Sequence, residues 1–325
     1  MDLTLFPYTL TPEIVAALTT IANTVGKIEG MNLMKPAPGL RRKYRIQTVQ
    51  SSLAIEGNTL TERQVSALID SKRVVGPERD ILEVKNALAV YEALSRYDAF
   101  SMVSLLDAHR VMMSGLLSEP GRFRKKPMGM IREGNIFHEA PPWGAVEPMM
   151  AALFRHLNNA EDHLLLRSCH FHYQFEFIHP FEDGNGRVGR LWQTRILMIY
   201  HPVFEYLPVE HLVKENQEAY YRALAESDET KDCTSFIAFI LEQIQTALLG
   251  LLNETRSVTL TVEDRIAQAA SACGSETFSR KDYQDVFKGI STATASRDLS
   301  YGVNAGLLKR TGNRRTTVYH FITTT

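Results

Sequence analysis

The sequence predicts a mainly α-helical body followed by a small α+β domain, and three observations carry that reading. Between residues 11 and 250, apolar residues recur at three- and four-residue spacing in one long segment after another, the period of an amphipathic helix. Pro127 to Phe137, around Gly134-Asn135, interrupts this with a short extended stretch and a turn signal, which predicts a β-hairpin. Beyond Ser257 the texture shifts to short helices, then to two strands between Leu307 and Phe321 around Gly312-Asn313.

Taken in order, Thr11-Pro12-Glu13 supplies an N-cap with Pro at the first helical position. Arg41 to Ile55 reads as a helix stopped by Gly57-Asn58, and Thr61-x-x-Gln64 is a capping box that starts the next. Asp80 to Tyr97, Met102 to Leu117, Val146 to Asn158, Asp162 to Ile178 and Thr234 to Leu252 complete the helical set. The composition, 44% hydrophobic and 22% charged over 325 residues, is that of a globular protein with room for two or three domains. A formal net charge of −1 gives no global field toward nucleic acid or acidic lipid. The start, MDLTLFPYTL, lacks the pattern of a secretory signal, and no apolar run is expected to reach the ~18 residues that span a bilayer. Cys169, Cys233 and Cys273 are odd in number and lack metal-ligand spacing, so they read as reduced thiols of a cytoplasmic protein.

The chemistry is concentrated in HPFEDGNGRVGR, residues 179 to 190. Gly184-x-Gly186-x-x-Gly189 could open a dinucleotide-binding turn, and Phe171, Tyr173, Phe175 and Phe177 alternate as a preceding strand would. Yet residues 162 to 178 hold no Gly or Pro and carry a helical stripe of Leu166, Cys169, His170, Tyr173 and Phe177. No Val/Ile-rich strand bearing an acid follows at ~20 residues, as that fold requires. The stretch reads instead as helix, loop, helix. Gly184 and Gly186 let successive N–H groups turn inward and merge with the start of the next helix into an anion site. Arg187 and Arg190, three apart, reach one polyphosphate. Asp183 at the mouth is a lone carboxylate of the kind that holds Mg²⁺ together with phosphate oxygens. His179, fixed by Pro180, is placed to take a proton from an incoming hydroxyl. The set suggests transfer of a phosphorus group from a nucleotide.

This stretch resembles the signature of Fic-domain proteins at every fixed position, and HYQFEFI (172–178) resembles the helix before it. More loosely, the resemblance runs from about residue 40 to residue 250. It implies a Fic-type helical bundle that transfers AMP from ATP to a Ser, Thr or Tyr hydroxyl of a protein and releases pyrophosphate. By that likeness His179 is the base, Phe181 anchors the loop, and Asp183 binds Mg²⁺ between the α- and β-phosphates. The loop from Gly184 through Asn185, Gly186, Val188 and Gly189 would serve the phosphates, with Arg187 on the β side and Arg190 on the γ-phosphate. Relatives that move the γ-phosphate instead tend to have Lys where this chain has Gly186. The hairpin matches the family's flap, which aligns the target segment by strand-like contacts; Met128, Gly129, Met130 and Ile131 lie there. Tyr220 and Tyr221 resemble nucleotide-side tyrosines, although the Asn expected a turn or two beyond is replaced by Ser227 and Asp228.

SSLAIEGN (51–58) places Ser52 and Glu56 four apart on one helix face. It resembles the family's N-terminal inhibitory helix, here about 41–57, whose Glu would pair bidentately with Arg190 and displace the γ-phosphate. The resulting division is residues 1–85 with that helix, 86–255 as the catalytic domain and 256–325 as a third domain. In the last, eight basic residues face three acids from Arg280 onward. TFSRKDYQDVF, a helix opening at Ser291 to Ser296, and LLKRTGNRRTTVYHF as a wing together resemble a winged helix. Its second helix would enter a major groove with Arg314 and Arg315 on phosphates, or the module would dock protein. Self-modification, a homodimer, DNA contact, another nucleotide donor and removal of AMP all stay open at this level.

Overall fold

The computed structural model describes residues 5–31, 35–132, 135–259, 261–273, 277–287, 290–313 and 317–322, with the backbone alone for 129–132, 135–139, 256–259 and residue 271. The chain is mainly helical and divides into two compact units, residues 1–248 and 249–325. Residues 1–85 pack into the same unit as residues 86–248.

Helix α1 (Pro12–Gly30) starts as its sequence dictates, the Thr11 hydroxyl accepting from the Ile14 N–H and Pro12 sitting where no N–H is needed. Its buried stripe is Ile14, Ile21, Val25 and Ile28. Helix α2 (Pro38–Ile55) begins three residues before the expected start, at a proline suited to a first turn, and ends where Gly57 takes a φ of 91°. The capping box at Thr61 and Gln64 forms in full and opens α3 (Glu62–Ile69). Helix α4 (Glu78–Glu92) tightens into a 3₁₀ turn at Leu94–Arg96 rather than running on to Tyr97. Helix α5 (Met102–Met112) stops five residues short of the expected end, and turns follow. The hairpin is present as antiparallel β1 (Gly129–Arg132) and β2 (Asn135–Glu139), with a register irregularity between Met130 and Ile131. Its turn residue Gly134 lies outside the described residues.

Helices α6 (Trp143–Asn159), α7 (Leu164–Ile178) and α8 (Asn185–Tyr200) form the centre of the first unit, α7 packed between the other two. Twelve of its positions from Leu165 through Ile178 are buried, which explains the strand-like alternation of its aromatics: an enclosed helix has no polar face to mark its period. Trp192 of α8 is fully buried, and its indole N–H donates to the Ala99 carbonyl (3.0 Å). Helices α9 (Val209–Glu215), α10 (Gln217–Thr230) and α11 (Thr234–Thr259) follow. Contrary to the sequence expectation, residues Thr234–Thr255 of α11 are long and apolar enough to span a bilayer, with a mean hydropathy of 1.6. Phe236, Ile237, Ile240, Leu241 and Ile244 of that stretch have no exposed surface, so its length and apolarity are those of a core helix.

The second unit continues with α12 (Val262–Cys273), α13 (Arg280–Val286), α14 (Thr292–Asn304) and the antiparallel pair β3 (Leu308–Thr311) and β4 (Val318–Phe321). Arg314 and Arg315, expected at the tip of that hairpin, lie outside the described residues. The unit's small core gathers Ile266, Phe278, Tyr283, Phe287, Leu299 and Leu308 around a buried ion pair. The Arg265 Nε and Nη2 groups donate to the two Asp298 oxygens (2.6 and 2.9 Å), and the Tyr283 hydroxyl donates to the same carboxylate (3.3 Å). Removing one partner strands a buried charge, so Asp298→Ala is expected to destabilise this unit by about 3–5 kcal/mol. Hydrogen exchange of the α12–α14 amides reads that loss; unchanged protection would contradict it.

Candidate active site

His179 caps α7 in the left-handed conformation (φ 48°, ψ 60°), its N–H donating to the Phe175 carbonyl (3.0 Å). A residue with a Cβ resists that conformation, so the surroundings must hold it. Arg124 does much of this. It is 2% exposed, and its guanidinium donates to the carbonyls of His179 (2.7 Å), Lys126 (2.9 Å), Pro141 (2.5 Å) and Ile178 (3.3 Å). Its own N–H donates to the Pro180 carbonyl (2.9 Å). A cation at the end of α7 also meets the negative pole of that helix. Thus one side chain ties the histidine turn to the segments that flank the hairpin.

The loop beyond is braced from within. Phe181 is fully buried and stacks on His109 with ring centroids 3.6 Å apart. The Gly121 N–H donates to His109 Nδ1 (2.8 Å), so the proton sits on Nε2, which donates to the Asp183 carbonyl (3.0 Å). The Asn185 side chain closes a ring across the loop, accepting from the Phe181 N–H (2.8 Å) and donating to the Phe181 carbonyl (2.9 Å). Gly184 has a φ of 87°, and a Cβ there would run into the Met113 thioether. The turn therefore delivers the chain to the first residue of α8 with its leading N–H groups aimed outward from the helix start. Not every residue assigned to the cradle faces it. Val188 is fully buried, and Gly189 lies against Glu176 and Phe175 of α7, where a side chain would not fit.

The charged groups are all engaged. Arg187 donates to Asp183 (2.6 Å) and approaches Glu83 of α4 (3.3 Å). Asp183 also accepts from Arg79 (3.0 Å) and from the Gly184 N–H (2.6 Å). Glu83 in turn accepts from the Asn58 amide (2.9 Å), which connects the end of α2 to this network. Arg190 is 3% exposed and tied to α2: Nη2 donates to Glu56 (2.8 Å) and to the Ser52 carbonyl (2.8 Å), while Nε donates to the Ser52 hydroxyl (3.2 Å). The pairing with Glu56 is single rather than the expected bidentate fork, because Ser52 takes the other edge of the guanidinium. Burial alone would lower the Arg190 pKa, but Glu56 overrides it and the value rises. The Glu56 carboxylate rests directly on Gly186, where a Cβ would collide with it.

Tyr220 is buried, its hydroxyl within 3.4 Å of His172 Nε2, and Tyr221 is half-buried with its hydroxyl 3.5 Å from the Gln217 amide. Their charge environment includes both Glu56 and Arg190. Met128 sits at the hairpin's base, its carbonyl accepting from the Ala140 N–H (3.2 Å), while Gly129, Met130 and Ile131 form β1 with side chains outside the described set. Sequence reasoning missed Arg124, His109, Arg79 and Glu83. None carries a local motif, and Asn58 was legible only as a helix stop.

Three buried histidines are held neutral. Burial pulls His109 and His170 down to about 4, and burial together with Arg190 pulls His172 to about 3. In the unfolded chain each would titrate near ~6.5. As pH falls through ~6.5 the unfolded state binds protons that the native state refuses, so stability drops and levels off only near the folded values. Each site contributes about 2 kcal/mol of that loss by about pH 5. Urea unfolding at about pH 7.5 and about pH 5 is expected to show it; equal stability at the two would contradict it.

Residues 99–197 match a family model described as the Fic/DOC family. A Fic family protein from Desulfovibrio desulfuricans G20, solved by crystallography, is 40% identical, covers 98% of both chains and superposes with a TM-score of 0.73. Proteins named protein adenylyltransferase Fic are similar at 28% identity over 221 residues in Culex quinquefasciatus and 31% over 183 residues in Nematostella vectensis. These alignments cover 63% and 50% of this chain. The chain spans about two fifths (41%) of the length of each of those two relatives.

Proposed function

The chain belongs to the Fic family, and from that premise we propose that it transfers AMP from ATP to a Ser, Thr or Tyr hydroxyl of a protein and is restrained by its own α2. The observation that supports this best is the histidine turn and the braced loop of residues 179–190, set beside a helix start and two arginines. His179 accepts the proton of the target hydroxyl, whose oxygen forms a bond to the α-phosphorus as the bond from that phosphorus to the bridging oxygen breaks. Pyrophosphate leaves. The amides at the start of α8 stabilise the charge on the phosphates, with Arg187 on the β-phosphate and Arg190 on the γ-phosphate. The hairpin offers strand-like backbone to align the target.

Mg²⁺ fits this site through one residue. Among the described residues no cluster of three or more His, Cys, Asp or Glu could cage an ion. Asp183, about one third exposed, is a single carboxylate at the loop mouth, which suits an ion completed by phosphate oxygens and water. Bound there, Mg²⁺ would neutralise phosphate charge.

The restraint follows from Arg190. With Glu56 and Ser52 on it, the cation meant for the γ-phosphate is taken, and a misplaced triphosphate does not present its α-phosphorus in line. Replacing Glu56 by Gly leaves Arg190 to the nucleotide. With α-labelled ATP and Mg²⁺, Glu56→Gly is expected to label itself or a target at least about tenfold faster than wild type, a change of ~1.4 kcal/mol in barrier. His179→Ala in that background labels nothing. Equal labelling of wild type and Glu56→Gly would remove the restraint from this reading.

A second reading concerns the C-terminal unit, whose helices and hairpin follow the order of a winged helix. A groove of about 810 Å³ there is lined by Arg280, Lys281 and Arg310 with Ser296 and Ser300, a lining that favours phosphate contacts. If it binds DNA, a mobility shift on mixed duplex weakens steeply with salt and with Arg280→Gln/Arg310→Gln. The absence of a shift would leave only a protein-docking role.

A further inference from the structure

Helix α2 carries Arg41, Arg45, Thr48, Ser52 and Glu56 at intervals of four and three residues, one continuous stripe along its length. The C-terminal part of the stripe, Ser52 and Glu56, holds Arg190. The N-terminal part borders a cavity of about 310 Å³, closed on its other sides by Tyr91, Thr194 and Tyr206. That volume is at the lower end for small-molecule sites, roughly 300–1,000 Å³.

Three arginines and one carboxylate line the cavity. Arg42 also borders it, but that guanidinium is committed to Asp70 (2.8 Å) and Ser66 (3.0 Å). Arg41 lies over the Tyr206 ring (5.8 Å to the centroid), and its buried Nε has no hydrogen-bond partner. Among the described residues no carboxylate forms an ion pair with Arg41 or Arg45. The acid on the wall, Glu205, shares a hydrogen bond with the Tyr206 hydroxyl, which also accepts from the Arg41 guanidinium. A buried guanidinium N–H without an acceptor is costly, and a planar fork of such donors matches the oxygens of a phosphoryl group.

The opposite wall leads to the catalytic loop. Thr194 is one turn beyond Arg190 on α8, and both the Thr194 and Tyr91 hydroxyls donate to the buried Glu210 (3.3 and 3.0 Å). The same two helices therefore meet twice, once at Arg190 and once around this cavity.

We propose that the cavity is a second anion site, built for a small soluble compound bearing a phosphoryl group, and that its occupant fastens α2 against α8. The site itself stands on the cavity and its arginines. Its regulatory consequence rests on the reading of α2 as a restraint: a ligand that binds only when α2 is docked favours the state in which Glu56 holds Arg190.

Calorimetric titration of the full chain, free of nucleotide and metal, with inorganic phosphate and separately with AMP tests the site. Phosphate binding is expected in wild type and in Arg187→Gln, whose change lies in the catalytic loop, and at least tenfold weaker binding in Arg41→Gln/Arg45→Gln. Arg41→Lys/Arg45→Lys retains part of it. Should the double variant not fold, Arg45→Gln alone, which breaks no ion pair, is expected to weaken binding severalfold. Wild-type affinity in the Gln variants, loss of binding in Arg187→Gln, or no binding in wild type would overturn the proposal. Tighter binding of AMP than of phosphate identifies a nucleoside monophosphate as the occupant, and the reverse order identifies the free ion. In the labelling assay, phosphate is expected to slow wild type but not Arg45→Gln; equal slowing of both overturns the coupling. If no chain labels under any condition, the catalytic reading fails while the titration still decides the site.

Discussion

A buried guanidinium must have negative charge or oxygen around it, and Arg190 of α8 is nearly sealed from solvent against α2. Glu56 and both oxygens of Ser52 meet that need from one side, while the fields of Tyr220 and Glu176 reach it from the other. Nothing in this arrangement is indifferent to the position of α2. If that helix moves, Arg190 loses its partners at once, and another anion must replace them or the cation stands unpaired. A triphosphate is such an anion. On the proposed reading, restraint and activity are two ways of satisfying one buried charge.

The loop of residues 179–190 is held by a different set of contacts. Its turn is held by groups that bind backbone rather than each other: Arg124 on four carbonyls, His109 between Gly121 and Asp183, and the Asn185 amide across Phe181. These hold the left-handed His179 and the glycine turn without using the side chains proposed to act on the nucleotide. Neutrality is part of the device, since a charged His109 would be a second cation close to Arg187. Preorganised amides at a helix start cost little to reorient during reaction, which is where such a site gains its rate.

Much of this was readable from residues alone, and the parts that were not have identifiable causes. The glycines, the histidine and the paired arginines of 179–190 sit within twelve residues, so their joint chemistry shows in one line of sequence. Ser52 and Glu56 were readable because helical spacing puts them on one face. Arg124 was not, because its partners are main-chain carbonyls, which every residue possesses. Glu83 and Arg79 reach the loop from α4, a hundred residues away, with no local pattern to announce them. The strand-like alternation in α7 was outweighed by its lack of Gly and Pro and its helical stripe, and it arises because an enclosed helix carries no amphipathic mark. Helix α5 ended early and α2 began early, the usual uncertainty of ends rather than of elements.

On the proposed reading, Glu56 occupies the place of the γ-phosphate on Arg190. Crystal structures of wild type and Glu56→Gly, each with Mg²⁺ and a non-hydrolysable ATP analogue, test it directly. The account predicts Arg190 on Ser52 and Glu56 in wild type, and in the variant a guanidinium within hydrogen-bond reach of the terminal phosphate, about 2.7–2.9 Å. A terminal phosphate that lies away from Arg190 in the variant, or on it in wild type with Glu56 still docked, would contradict the claim.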